Sequence, residues 1–373
     1  EISSCDWSSD VCSSDLEFEA IFDTEVYEAS PEVLGRVRPG VLRYRTKTTK
    51  SGEMLESEVF PIWETGAEAR RARKAVTREA QRRLNDRNAV RKLVRLVSCN
   101  FGRGDLMVTL TYGEGWDAVD RQYPEGTSSG RHLPPRTSAG LGLSQRLGGR
   151  EAADEGRHDF TRVQRDVRNF IRRVRSARER AGLDELRYVY SIEGFRGEEA
   201  EASEAPALPG VLEAAPEVIE RKGGVSPRPH VHMILSGGLE REAIEGLWGK
   251  GWANCRQLQP DRYTGLEAIS RYMVKSWRRE RGEGASPEGY PGKRWYGSRN
   301  LKKPTVTVSD WRMSRGRVAK AVEEIAEGPG SVFNRAYPGY ELVDFEVRSS
   351  EFVSGIYLYA RMRKIRPDAV RRC

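Results

Sequence analysis

Between Phe160 and Val174, apolar residues recur every three or four positions: Phe160, Val163, Val167, Phe170, Ile171 and Val174. Arginines fill the other faces, which is the pattern of a helix with one buried stripe. Gly182 supplies a stop signal, so the spacing predicts a helix over Phe160–Ala181. The period then changes to two. In Arg187–Glu193, Tyr188, Tyr190 and Ile192 share one face and Val189 takes the other, as in a strand. Leu106–Tyr112 is a second β-rich run, and Arg228–Leu235 a third.

Other segments read less sharply. Ala67 to about Val97 is helical and strongly basic, with Val76, Ala80, Leu84, Val90, Leu93 and Leu96 able to line one stripe. Asn100–Gly104 breaks it. Leu239–Leu247 predicts a short helix, Trp252–Leu258 a strand, and Thr264–Trp277 a helix with Thr264 as its N-cap. From Leu106 to Trp277 the order is β-α-β-β-α-β-α. That order predicts an α+β fold, an antiparallel sheet with helices on one face, of ferredoxin-like type. Residues 113–156 and 196–224 lack periodicity and read as loop insertions. Residues 17–66 read as mixed strand and turn. Residues 305–373 combine a helix (Arg317–Glu327) with a strand (Gly355–Arg361) as a C-terminal extension that packs on the core or completes it.

The first sixteen residues stand apart. Asp6–Leu16 resembles a translated sequencing adapter, so Glu1–Leu16 is expected to be artefactual and disordered, with the natural N-terminus missing. The domain expectation is then a 17–66 segment, a central 67–304 domain and a 305–373 extension.

Charge narrows the function. The 373 residues carry 63 Lys and Arg against 55 Asp and Glu, a net +8. Without the four acids of the leading segment the balance is 63 against 51, or +12. No apolar stretch is long enough to span a membrane. Five cysteines make no disulfide framework, and a reducing cytoplasm is the expected setting. Ala67–Cys99 holds eleven Lys and Arg against three acids, beginning with Arg70, Arg71, Arg73 and Lys74. Lys293, Arg294, Arg299, Lys302 and Lys303 surround Trp295 and Tyr296. Cations that track phosphates beside rings that stack on unpaired bases suit single-stranded nucleic acid. The plainer reading is a set of solvated Arg faces around a core Trp295.

Only four histidines occur, and two of them, His230 and His232, lie two apart on a predicted strand. Both then face the same way and can reach one cation. Glu193 ends the strand expected to pair with theirs and offers a carboxylate as third ligand. Tyr272 and Lys275 stand three apart on the last predicted helix, sharing a face. A neighbouring ammonium favours phenolate, the form of tyrosine that can act as a nucleophile. Each feature also has a bland reading: hydrogen-bonded strand histidines, a solvated strand-end acid, and a tyrosine packed beside a snorkelling lysine.

In order along the chain, Val108–Tyr112, Pro229-His230-Val231-His232 and Tyr272-Met273-Val274-Lys275 resemble the three motifs of HUH endonucleases. The likeness is to the phage- and plasmid-type rolling-circle replication initiators. It extends through 293–304 and a late segment, 352–361. It implies that His230, His232 and Glu193 hold Mg²⁺ or Mn²⁺ and that Tyr272 attacks single-stranded origin DNA. The product would be a 5′-phosphotyrosine and a free 3′-OH, with later strand transfer. Lys275 would stabilise phenolate or phosphate charge. Some relatives use two tyrosines, whereas this chain offers one, so a single-tyrosine mechanism is implied. The resemblance also implies a bacterial host cell whose polymerase extends the 3′-OH. No Gly-x-x-x-x-Gly-Lys-Ser/Thr loop occurs, so unwinding falls to supercoiling, an extruded hairpin or a host helicase. A relaxase or single-strand transposase would use the same chemistry. A non-catalytic basic nucleic-acid-binding protein would use none of it.

Overall fold

The computed structural model describes residues 20–75, 78–113, 148–193, 228–274 and 295–365. Its elements run in this order: β1 (Thr24–Val26), α1 (Pro31–Arg36), β2 (Val41–Ser51), β3 (Met54–Trp63), α2 (Gly66–Ala75), α3 (Arg78–Asn100), β4 (Leu106–Tyr112) and α4 (Gly148–Arg180). There follow β5 (Tyr188–Glu193), β6 (His230–Leu235), α5 (Arg241–Gly246), β7 (Gly251–Gln257), α6 (Glu267–Tyr272) and β8 (Tyr296–Gly297). The chain closes with β9 (Thr305–Ser309), α7 (Arg315–Glu323), α8 (Gly330–Ala336), β10 (Tyr340–Ser349) and β11 (Tyr357–Lys364). The fold is α+β, built on two sheets whose described pairings are all antiparallel.

The chain divides into two compact units. One comprises Glu1–Asn100, Pro260–Ser270 and Leu301–Cys373; the other comprises Phe101–Gln259 and Arg271–Asn300. This grouping differs from the expected 67–304 domain. The basic segment 67–100 sorts with the first unit, as do both terminal regions.

The first unit holds a six-stranded sheet in the order β1-β10-β11-β3-β2-β9. The N-terminal hairpin β2–β3 joins the C-terminal hairpin β10–β11 through β3, with Leu55 opposite Met362 and Val59 opposite Leu358. The extension beyond 305 therefore completes a sheet begun before residue 64. Its core gathers Val41, Tyr44, Val59, Val318, Phe333 and Leu358. The expected basic helix occurs as α2 and α3, and Leu84, Val90, Leu93 and Leu96 of the expected stripe are buried. Arg95 points inward too. Its guanidinium donates to Glu56 and, at 2.9 Å, to Glu58.

The second unit holds the five-stranded sheet β7-β4-β6-β5-β8. Strand β4 shows why it has two different faces. Leu106, Val108, Leu110 and Tyr112 are buried, while Met107, Thr109 and Thr111 between them are half-buried. The first set packs with Phe160, Val163, Val167, Phe170 and Val174 of α4 and with Ile244 of α5. Fully burying each such side chain contributes about 1.5–3 kcal/mol. Helix α4 begins at Gly148, twelve residues before the start expected from the periodicity. It ends as expected at Gly182, which adopts φ +66°. Leu183 N–H donates to the Arg178 carbonyl and Gly182 N–H to that of Glu179, closing the helix in a Schellman motif. The other sheet face, set by strand parity, carries the candidate site.

Candidate functional site

Cross-strand register brings the expected residues together. Strand β6 lies between β4 and β5, so each of its residues has a partner on both sides. His230 stands opposite Thr111 and Glu193; His232 stands opposite Thr109 and Ser191. Antiparallel partners share a face. One patch of sheet therefore bears two imidazoles, two threonine hydroxyls, a serine hydroxyl and a carboxylate.

The threonines orient the rings. Thr111 Oγ1 lies 3.1 Å from His230 Nδ1, and Thr109 Oγ1 lies 3.3 Å from His232 Nδ1. With Nδ1 engaged, Nε2 is the nitrogen left to face the site, the arrangement that fixes a metal-binding imidazole. His232 Nε2 is 3.5 Å from Glu193 Oε2. Two donors each about 2.1 Å from one ion stand roughly 3–3.5 Å apart, so this spacing suits a shared cation. Glu193 Oε1 and Ser191 Oγ are buried and have no hydrogen-bond partner among the described residues. A buried carboxylate oxygen without a donor is costly, and a cation would satisfy it. The donor set fits a hard or borderline divalent ion. Among the described residues, however, no three His, Cys, Asp or Glu side chains converge as a complete ion site. Burial, and then the charge of His232, hold the His230 imidazole below its ordinary pKa, with Glu193 opposing. The His230 ring is thus biased toward the neutral form that can serve as a ligand.

Tyr272 joins this patch. Its ring meets that of His232 edge-on, with centroids 5.0 Å apart and an interplanar angle of 69°. The residue as a whole is 43 % exposed. Burial of the phenol and the nearby charge of Glu193 raise its pKa, and Arg256 of β7 pulls it down. Helix α6 is shorter than the spacing predicts. It begins at Glu267, because Asp261 instead of Thr264 organises the approach by accepting from the backbone N–H groups of Tyr263 and Thr264. It ends at Tyr272, and Lys275 lies outside the described residues.

The expected DNA-binding residues belong to both units. Arg70, Arg71 and Lys74 are exposed on α2, as are Lys302 and Lys303, all within the first unit. Arg299 is exposed and Trp295 half-buried in the second. Lys293, Arg294 and the Arg73 side chain lie outside the described residues, as do the insertion residues 114–147 and 196–224.

Three contributors escaped the sequence reading. Thr109 and Thr111 were legible only as strand residues, although they alternate with the buried set of β4. Arg256 had no signal beyond its place on an expected strand. Its influence on Tyr272 depends on where α6 ends. The described helices include none long and apolar enough to cross a membrane. No family model, curated protein or solved structure matches the chain.

Proposed function

We propose that the protein is a metal-dependent, single-tyrosine endonuclease of HUH type that nicks single-stranded origin DNA to start rolling-circle replication. The observation that carries this reading is the meeting of the Tyr272 ring with His232, beside a second histidine and a buried carboxylate oxygen that has no hydrogen-bond partner among the described residues. His230, His232 and Glu193 would hold Mg²⁺ or Mn²⁺. When bound, the ion supplies Lewis acidity toward a phosphate oxygen and offsets the Glu193 charge that disfavours phenolate.

The chain's own groups account for the rest. The Tyr272 oxygen gives up its proton to water or base and attacks phosphorus. The bond from phosphorus to the 3′ oxygen breaks, and that oxygen takes a proton to become a free 3′-OH. The 5′-phosphate stays on Tyr272. Arg256 supplies positive charge that acts on the phenol, and Lys275, three residues on from Tyr272 in sequence, would add its own as the resemblance implies. Thr109 and Thr111 keep the imidazoles aimed. A host polymerase would extend the 3′-OH, and a host helicase would open the duplex.

The test incubates the full chain with Mn²⁺ and single-stranded DNA bearing an origin hairpin, then looks for a complex that survives denaturation. Peptide mapping should place the DNA on Tyr272. Tyr272→Phe should lose the complex entirely, and His230→Ala or His232→Ala should lose most of it. A covalent complex that persists in Tyr272→Phe overturns the nucleophile.

A second reading has its own support. Each histidine already has a hydroxyl partner, as structural histidines do. A non-catalytic nucleic-acid-binding protein would bind DNA without metal and form no adduct.

A further inference from the structure

Trp252 is unlike the other aromatic residues of the second unit. It is 79 % exposed, whereas Trp248, four residues earlier, is fully buried. Large exposed apolar surface on a sheet edge is a liability that proteins ordinarily avoid. Among the described residues strand β7 is such an edge, hydrogen-bonded on one side only, to β4. Register sets Trp252 opposite Thr111, and Thr111 opposite His230, which faces Glu193. Trp252 therefore belongs to the same cross-strand row as the candidate ligands. It sits two strands, or about 10 Å, from the His230 backbone.

Its backbone is held. Gly251 adopts φ +145°, and a Cβ there would lie 2.3 Å from Gly113 N and 2.4 Å from the Thr111 carbonyl oxygen. Only glycine permits β7 to begin this close to β4. Gly113 N–H donates to the Lys250 carbonyl, and Lys250 Nζ lies 3.3 Å from Asp166. Trp248 Nε1–H donates to the Thr111 carbonyl, locking the preceding turn. Along the same face, strand parity aligns Trp252 with exposed Asn254 and exposed Arg256, and Arg256 acts on the Tyr272 phenol.

We propose that Trp252 is a stacking platform for an unpaired DNA base next to the phosphate that Tyr272 attacks. The proposal rests on the reading of the site as a single-strand nuclease and extends it to a positioning residue. A fixed ring beside a charged and amide-bearing edge suits a single strand: every base has a face to stack, and Arg256 offers its charge to the backbone. Duplex DNA, whose bases are already stacked, would gain nothing from it.

The experiment measures binding of the full chain to fluorescein-labelled oligothymidylate 12-mer in EDTA, so that cleavage plays no part. A 12-mer of abasic sugar-phosphate serves as the control. Trp252→Ala should weaken oligothymidylate binding about tenfold or more, from the loss of one stacked base. Trp252→Phe should stay within about threefold of the parent. Both variants should bind the abasic 12-mer as the parent does. Equal binding of oligothymidylate by the parent and Trp252→Ala overturns the proposal. So does an equal loss on both probes, which would mean damage to the fold or to the charge field. If no covalent adduct ever forms but the Trp252 effect holds, the nuclease reading fails and the platform stands.

Discussion

Two sets of buried carboxylates, one in each unit, face opposite fates. In the first unit, Glu56 meets Arg95 through one oxygen and the Tyr359 hydroxyl, at 2.6 Å, through the other. Glu58 meets Arg95 at 2.9 Å and Lys47 at 3.5 Å. All four oxygens are occupied by groups of the same unit. In the second unit, Glu193 has one oxygen 3.5 Å from an imidazole and the other with no hydrogen-bond partner among the described residues. The same residue type, on the same kind of antiparallel strand, is closed in one place and open in the other. A closed carboxylate is part of the structure's own electrostatics. An open one leaves stability forgone, and the proposed ion would supply the missing partner.

The contrast can be broken most directly at Arg95. Arg95→Ala should lower the stability of the first unit by about 3–5 kcal/mol, because Glu56 and Glu58 would be left buried without their counter-charge. Denaturant unfolding measures this; a loss below about 1 kcal/mol would mean the cluster is not closed as described.

Glu193→Gln should behave in the opposite way. Removing a partly buried charge with an unpaired oxygen should leave the unfolding midpoint unchanged or raise it by up to about 1 kcal/mol. Mn²⁺ binding, followed by calorimetry, should fall by an order of magnitude or more, since a ligand has been lost. Unchanged Mn²⁺ binding would remove Glu193 from the ligand set. A large loss of stability would make it structural, like Glu58.

The smallest effect lies in pH. Burial pushes the Glu58 carboxyl up, but Arg95, Lys47 and Arg91 together hold it below the usual carboxylate range. Its contribution is therefore present above the ordinary value of 4.5 and is lost as pH falls through the lower folded value. His230 is depressed as well, by burial and His232, but it is a base. Its unfolded form takes up a proton first, so stability falls as pH drops below the ordinary 6.5. Hydrogen exchange resolved by peptide should show β6 losing protection in milder acid than β3. Simultaneous loss in both strands would deny the two units separate electrostatics.

Much of the second unit was legible because its signals are local. The stripe on α4, the stop at Gly182 and the strand parity of Tyr188–Glu193 depend on residues within a few positions of one another. His230 and His232 announce a shared face by their spacing alone. The first unit was not legible in this way. Nothing near Leu55 reveals that it will pair with Met362, about three hundred positions later. The basic run 67–99 shows the same limit: its composition does not tell that Arg95 is turned inward by two glutamates on β3 that share no sequence window with it.

What the sequence determined by itself is the set of elements and which side chains each turns to one face. Hydrophobic period and turn residues act over single turns and strands, and those distances are short along the chain. What only the tertiary structure decided is company: Thr109 and Thr111 behind the imidazoles, Arg256 near the phenol, an orphaned oxygen on Glu193, and Trp252 in the same row. Register and packing set those meetings, and both are fixed by burying whole faces at once, a global minimum that no local stretch of residues encodes.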